Sequence, residues 1–143
     1  MCIRDRYEAS QAGVEIDLIV RGICCLIPGQ TYSRNIRVTR IVDTFLEHAR
    51  IWYFGNGGNP KLFLGSPDWM RRNLYRRIEA VTPILDPDAK QELIDMLSIQ
   101  LSDKRKACFV DENLRNCWKS AHPQKEKVRS QYTFYEYLKE KTE

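Results

Sequence analysis

The alternation of apolar and polar residues predicts an α/β domain. Residues 7–12 have the pattern of the end of a helix that Gly13 terminates, and residues 15–21 become apolar enough for a largely buried strand. Apolar and basic residues alternate over 35–40, which indicates a second strand with one polar face. Helix, glycine and strand in this order are typical of an α/β layer. We therefore expect a mixed β-sheet flanked by helices.

The same pattern predicts the elements of the rest of the chain. Apolar spacing over 41–48 is compatible with a short helix, and residues 51–64 predict a β-hairpin around their Gly-rich centre. We also expect a β-rich run over 76–85, a helix that begins at Asp86-Pro87, a last strand over 106–110 and a closing helix over 127–141. The apolar stripe of the closing helix includes Tyr132 and Tyr135, which we interpret as core residues.

The length of 143 residues is that of one domain. Residues 1–6 are too short and too charged to supply the strand that should precede the opening helix. We therefore expect that residues 1–6 are a non-native leader and that residues 7–143 form an N-terminally truncated domain. No apolar run approaches the roughly 18 residues that span a bilayer, and residues 1–6 lack the apolar segment of a signal peptide. Five cysteines without metal-type spacing favour reduced thiols in a cytosolic protein.

Positive charge is concentrated in one part of the chain. The span 21–77 contains ten Lys and Arg residues and three acidic residues, a net charge of +7, which leaves −3 of the chain's +4 for the remainder. Nine of the ten cations are arginines, whose planar guanidinium can hold phosphate oxygens in a bidentate manner. The span is either a surface that handles phosphate or a set of solvated charges, and composition leaves both interpretations open.

Three short stretches, 20–22, 45–50 and 65–73, contain the residues that are suited to phosphoryl chemistry. A histidine followed by a cation two residues later, with Gly-Ser and Asn after a hairpin, is the layout of phospholipase-D-like phosphoryl-transfer sites. An imidazole can attack phosphorus or move a proton near neutral pH. Fixed arginine and amide donors can meet the charge that develops on the phosphoryl oxygens. The candidate residues are Arg21, His48, Arg50, Ser66, Arg71 and Asn73.

Taken in order, these motifs resemble those of the bacterial polyphosphate kinases of the first type. The resemblance lies in Tyr-Glu-Ala-Ser-Gln-Ala-Gly-Val from Tyr7, Ile-Asp-Leu-Ile-Val-Arg-Gly-Ile-Cys-Cys-Leu from Ile16, Phe-Leu-Glu-His from Phe45 and Gly-Ser-Pro-Asp-Trp-Met-Arg-Arg-Asn from Gly65. Asn-Gly-Gly in the hairpin, Leu-Asp-Pro from Leu85 and the tyrosine-rich terminal helix also fit. The resemblance covers the chain from residue 7 to about residue 138.

The resemblance implies a fold and an activity. The family has about four domains, the last two of them phospholipase-D-like, and this chain resembles the final one. Members transfer the terminal phosphate of ATP reversibly to inorganic polyphosphate through a phosphohistidine in the preceding domain, which has no counterpart here. His48 matches the second family histidine and Arg21 the nucleotide-contacting arginine, and both are ATP-contacting in the family. Arg50, Ser66, Arg71 and Asn73 are expected to support them.

The resemblance also sets expectations about cofactors and partners. Mg²⁺ is expected in the complete enzyme, but the magnesium-associated positions lie in the missing domain, so no metal residue is assigned here. The partners implied are ATP or ADP, polyphosphate and the preceding domains, in a homo-oligomer that does not bind nucleic acid. The expected location is the cytoplasm, with peripheral association with a membrane as a further option. The chain by itself is expected to be inactive because the nucleophile is absent.

Some positions depart from the family pattern or leave alternatives open. Gly55, Pro67 and Tyr75 replace residues that are common in the family, and Tyr75 removes an acid near the site. A carboxylate from Asp43, Glu47 or Asp68 could orient His48 or an arginine, and we interpret His122 as a surface residue. The first alternative function is a phospholipase-D-like phosphodiesterase or nuclease half-site that acts as a dimer. The second is a noncatalytic basic module that binds nucleic acid.

Overall fold

A computed structural model of the protein describes residues 3–143. The chain forms two compact units. The hairpin unit consists of residues 47–97, and the sheet unit consists of residues 3–46 and 98–143. Met1 and Cys2 lie outside the described residues, and Ile3–Arg6 belong to the first helix. That residues 1–6 are a leader stays a prediction.

The described residues contain four helices and seven strands. The helices are α1 (Ile3–Gln11), α2 (Arg71–Arg76), α3 (Pro87–Ser102) and α4 (Ser130–Thr142). The strands are β1 (Ile16–Ile19), β2 (Ile36–Ile41), β3 (Ile51–Phe54), β4 (Lys61–Gly65), β5 (Val81–Pro83), β6 (Ala107–Val110) and β7 (Asn116–Trp118). Short 3-10 turns cover Asn56–Gly58 and Pro123–Lys125. The expected mixture of helices and strands is confirmed.

The sheet unit contains a four-stranded mixed sheet in the order β1-β2-β6-β7. β1 runs parallel to β2, and the other two pairs are antiparallel. β2 is central, and its apolar residues form the core together with Leu26 and Val110. The helix α1 packs Ile3 and Tyr7 against this core, and the Tyr7 hydroxyl accepts a hydrogen bond from the N–H of Ile27 at 2.9 Å.

The sequence signals for helix ends are confirmed. Gly13 follows α1 with φ +90°, a left-handed conformation that glycine adopts without strain, and its N–H donates to the carbonyl of Ser10 at 3.0 Å. Asp86 caps α3, since its Oδ1 accepts a hydrogen bond from the N–H of Ala89 at 2.8 Å. Pro87 takes the first helical position, where its missing N–H costs nothing.

The hairpin unit contains a three-stranded antiparallel sheet in the order β3-β4-β5. The predicted hairpin is confirmed, and its turn places Asn56, Gly57 and Gly58 at positive φ. The single mixed sheet expected from the sequence is therefore divided into two sheets. The physical reason is that β3, β4 and β5 are close in sequence and pair locally as a meander.

The helix predicted over 41–48 is wrong, because this segment is irregular after β2 ends at Ile41. The backbone N–H and carbonyl of Phe45 both bond to the side-chain amide of Gln131, each at 2.8 Å. Asp43 accepts two hydrogen bonds from the guanidinium of Arg129, at 2.8 and 2.6 Å. Gln131 on α4 thus takes the backbone groups of Phe45 that a helix would need, and Arg129, just before α4, holds the side chain of Asp43.

Three further expectations need correction. The sequence pattern did not predict α2 or β7, which are too short to show a period, and β6 is therefore not the last strand. Tyr132 and Tyr135 on α4 are 43% and 63% exposed, so they are not core residues of this chain. Tyr132 instead forms a cation–π contact with Arg129, whose Cζ lies 4.2 Å from the ring centroid.

One buried carboxylate connects α3, β6 and α4. Asp103 is fully buried immediately after α3. Its Oδ1 accepts hydrogen bonds from the N–H groups of Arg105 and Lys106 at 2.8 and 2.7 Å, and its Oδ2 accepts one from the N–H of Ser130 at 2.8 Å. The carboxylate therefore fixes the turn into β6 and the first residue of α4 at the same time.

We expect Asp103→Ala to lower the free energy of unfolding by about 3 kcal/mol, because it leaves three N–H donors without their charged acceptor. Urea denaturation followed by circular dichroism measures the change. Glu140→Ala, at an exposed position of α4, is the control and should change stability by less than about 0.5 kcal/mol. Equal stabilities of the two variants would contradict the role given to Asp103.

Candidate functional site

The β3–β4 hairpin brings two segments of the sequence motifs side by side. Ile51 at the start of β3 pairs with Leu64 near the end of β4, and the N–H of Gly65 donates to the carbonyl of Arg50 at 3.0 Å. Residues just before β3 therefore lie beside residues just after β4. Gly65 is required here, since a Cβ would lie 2.7 Å from the ring of Trp52 and 2.9 Å from the carbonyl oxygen of Ala80.

Arg50 joins His48 to a carboxylate. Its Nε donates to Asp68 Oδ1 at 2.9 Å, and its Nη2 lies 2.9 Å from His48 Nε2. Its Nη1 donates to the carbonyl of His48 at 3.3 Å. The side chain of Arg50 is 22% exposed, whereas His48 is exposed. The suggestion that Asp68 orients an arginine agrees with this contact.

The contact with Arg50 defines the tautomer of His48. A guanidinium only donates hydrogen bonds, so the Nε2 atom that it contacts must accept one. The ring proton of the neutral imidazole is then on Nδ1. The Nε2 atom of His48 therefore accepts the hydrogen bond from Arg50, and the Nδ1–H group is the donor that the ring can offer to a ligand.

A second cluster forms around Glu79. Ser66 Oγ donates to Glu79 Oε2 at 2.5 Å, and Asn73 Nδ2 donates to Glu79 Oε1 at 3.0 Å. The hydroxyl of Ser66 also accepts a hydrogen bond from the N–H of Ala80 at 3.1 Å. The hydrogen bond from Ser66, and then that from Asn73, lowers the pKa of Glu79, and the positive charge of Arg50 contributes in the same direction.

Asn73 is the buried member of this cluster. The residue is 3% exposed on α2, and its Oδ1 is a buried atom without a hydrogen-bond partner. Sequence reasoning selected Ser66 and Asn73 but missed the carboxylate between them. The available signal was that Glu79 is the single acidic residue between Asp68 and Asp86 in an arginine-rich stretch.

No group of three or more potential metal ligands occurs in residues 3–143. In the same residues, no helix has the length and apolar character needed to cross a membrane.

A sequence profile of the family described as "Polyphosphate kinase C-terminal domain 2" matches residues 1–131. The chain belongs to the polyphosphate kinase family. The resemblance that the motifs indicated is therefore confirmed. Among its relatives, a polyphosphate kinase of Synechocystis is 59% identical over 106 residues, which cover 73% of this chain and 15% of the relative. A polyphosphate kinase of Escherichia coli K12 is 46% identical over 134 residues, which cover 93% of this chain and 19% of the relative.

A solved structure shows the same fold. The crystal structure of a polyphosphate kinase from Porphyromonas gingivalis matches with a TM-score of 0.93 and 57% identity, covering 97% of this chain and 21% of that one. The chain thus spans about a fifth of the length of these polyphosphate kinases.

The polyphosphate kinase site residues predicted from the sequence fall into the two units. The hairpin unit contains His48 with Arg50, and Ser66 with Asn73, each pair joined by the contacts above. Arg71 is exposed at the first residue of α2. Arg21 belongs to the sheet unit, where it is exposed just beyond β1. That Arg21 and His48 both contact ATP stays a prediction.

One departure from the family pattern has a local explanation. Tyr75 stands where an acid is common, and its side chain is 70% exposed. Near the site, Glu79 is the acid that accepts hydrogen bonds from Ser66 and Asn73.

We expect Ser66→Ala to raise the pKa of Glu79 towards its ordinary value, because the hydroxyl donates to the charged carboxylate. The hydrogen bond from Ser66 to ionised Glu79 stabilises the folded chain at pH values above the ordinary pKa of glutamate. This stabilisation is lost as the pH falls through the lowered pKa of Glu79. A carboxyl ¹³C NMR titration measures the shift. Ser98→Ala, at an exposed serine of α3, is the control. An unchanged Glu79 titration in Ser66→Ala would contradict the assignment.

Proposed function

We propose that this chain supplies part of the active site of a polyphosphate kinase that transfers the terminal phosphate of ATP reversibly to inorganic polyphosphate. Membership of the family supports the reaction class. The observation that carries the proposal is the contact of Arg50 with His48 and Asp68, which combines an oriented imidazole with fixed cationic donors. His48 is exposed, so its ring is accessible to a bound phosphate.

His48 would act on the phosphoryl group as an acid or base, or as an electrostatic partner of a phosphohistidine that another domain supplies. With Nε2 held by Arg50, the Nδ1–H is the group that can donate to a phosphoryl oxygen. Negative charge develops on these oxygens during transfer, and donors that are already in place stabilise it without reorganising. Asp68 holds the guanidinium of Arg50 in the orientation that this requires.

Arg21 would bind the phosphates of ATP, with Arg50, Ser66, Arg71 and Asn73 as supporting residues. Arg21 is exposed in the bend that follows β1, and the carbonyl of the next residue, Gly22, accepts a hydrogen bond from Arg40 at 3.0 Å. A bidentate arginine at such a fixed bend suits a phosphate ligand. By analogy with nucleic acids, binding of polyphosphate to the cationic span 21–77 should weaken as salt rises.

The proposal extends to the complete enzyme. We assign the chain to the phospholipase-D-like class, because His48 and Arg50 precede a hairpin that Ser66 and Asn73 follow. The phosphohistidine and the ligands of Mg²⁺ would belong to the preceding domain. The complete enzyme would be a cytoplasmic homo-oligomer, with peripheral membrane association as a further option, and its partners would be nucleotide and polyphosphate, with nucleic acid excluded.

We expect His48→Ala and Arg21→Ala each to reduce the rate of polyphosphate synthesis about 100-fold or more in a complete polyphosphate kinase whose matching segment is this chain. The formation of polyphosphate from ATP measures the rate. The matched controls are His122→Ala and Arg34→Ala, which remove an exposed histidine and an exposed loop arginine. Near-normal rates for both site variants would remove the assignment.

The 143-residue chain by itself is expected to give no ATP-dependent synthesis of polyphosphate, because it lacks the phosphohistidine that would accept the phosphoryl group. The same assay, with the complete enzyme as the positive control, tests this expectation. Sustained turnover by the isolated chain would show that the nucleophile lies within it.

A further inference from the structure

The sheet unit contains a groove that includes none of the predicted site residues. Its volume is about 630 Å³, and its walls include Arg105, Lys106, Trp118, Ser120 and Pro123. This volume lies in the range of pockets that hold a small organic ligand. The groove lies where the turn into β6 faces the end of β7 and the segment that follows it.

The backbone around the groove is held in place. The N–H groups of Arg105 and Lys106 bond to the buried carboxylate of Asp103, which fixes the turn that carries both cations. Trp118 is the last residue of β7 and pairs with Cys108 on β6. On the far wall, Ser120 Oγ donates to Glu126 Oε1 at 2.6 Å. A site on such supported elements loses little entropy when a ligand binds.

The charge of the groove is positive. Arg105 is half-buried, and within residues 3–143 its guanidinium forms no ion pair with a carboxylate. Lys106 lies at the limit of an ion pair, with its Nζ 4.0 Å from Asp43 Oδ1. Asp43 is already held by the shorter contacts to Arg129. Arg105 therefore lines the groove without an ion pair in residues 3–143, and Lys106 lines it while sharing Asp43 with Arg129.

The groove also presents an aromatic face. Trp118 is 58% exposed, although an indole is a large apolar group, and Pro123 adds a second apolar surface. Exposed indole beside arginine is the combination on which nucleic-acid bases stack while their phosphates are neutralised. An inorganic phosphate chain would use the cations but would gain nothing from the indole.

We propose that this groove binds a nucleotide, with the base stacked on the indole of Trp118 and the phosphates held by Arg105 and Lys106. The inference goes beyond the proposed function, because it uses neither Arg21 nor His48. A nucleotide bound here would be a second nucleotide of the complete enzyme and would not be the phosphoryl donor.

Calorimetric titration of the 143-residue chain tests the proposal. The chain carries Arg21→Ala and His48→Ala in this experiment, so that binding at the proposed catalytic site does not contribute. ATP is compared with adenosine, which lacks phosphate, and with inorganic tripolyphosphate, which lacks a base. We expect ATP to bind at least about tenfold more tightly than either probe, because ATP uses both the indole and the cations.

Two sets of variants locate the binding. Trp118→Ala should weaken ATP about tenfold, whereas Trp118→Phe retains an aromatic face and most of the affinity. Arg105→Ala should weaken ATP about tenfold but leave adenosine unchanged. Lys104→Ala is the matched control, since Lys104 is an exposed cation next to Arg105 that does not line the groove. Circular dichroism verifies that each variant is folded.

Each outcome supports or overturns the proposal. Loss of ATP affinity in Trp118→Ala and Arg105→Ala, with Lys104→Ala unchanged, supports it. Equal binding of ATP and tripolyphosphate would overturn it in favour of a site for phosphate only. Unchanged ATP affinity in Arg105→Ala would overturn it even if Trp118→Ala fails to fold. ATP binding by the chain with Arg21→Ala and His48→Ala supports a site separate from the proposed catalytic site, and its absence would overturn the proposal.

Discussion

A guanidinium has five N–H donors and no acceptor, and in Arg50 these donors meet three acceptors of the hairpin unit. Asp68 fixes the plane of the group, the carbonyl of His48 fixes its position along the chain, and the ring of His48 takes the tautomer that the donor dictates. A lysine could not replace this arrangement, because a single ammonium lacks the planar fork. The chemistry proposed for His48 therefore depends on its contact with Arg50, which lies two positions later in the sequence.

The sheet unit depends on carboxylates in a different way. Asp103 is fully buried, and its carboxylate accepts hydrogen bonds from three backbone N–H groups. It therefore fixes the conformation of the turn after α3 and the start of α4. Asp43 binds the side chain of Arg129, the residue before α4, and thereby holds the segment that follows β2. Arg129 in turn lowers the pKa of Asp43, which keeps this carboxylate charged over a wider pH range. Buried carboxylates thus determine the local paths of the chain in the sheet unit, including the turn that carries the groove cations.

Sequence reasoning succeeded where the determinants are local. The turn of the β3–β4 hairpin and the cap at Asp86 depend on a few neighbouring residues, and both were predicted. The segment 41–48 was predicted wrongly because its conformation is decided by Gln131, which is 86 residues away from Phe45. Glu79 was missed for a similar reason, since its role appears only when the hairpin brings Ser66 beside it. The family motifs identified Ser66 and Asn73 but did not include Glu79, the carboxylate that joins them.

Net charge counted along the sequence is a poor measure of the field at a site. Within the span 21–77, Arg37 is neutralised by Asp17 and Glu15, which lie outside the span, at 2.6 and 3.0 Å. Arg50 is paired with Asp68. Arg105, by contrast, lies outside the span and forms no ion pair with a carboxylate of residues 3–143. Whether a cation can hold a phosphate is decided by the carboxylates within about 4 Å of it, since this is the range over which pairing removes its charge. A basic stretch can therefore contain arginines whose charge is neutralised by carboxylates that lie elsewhere in the sequence.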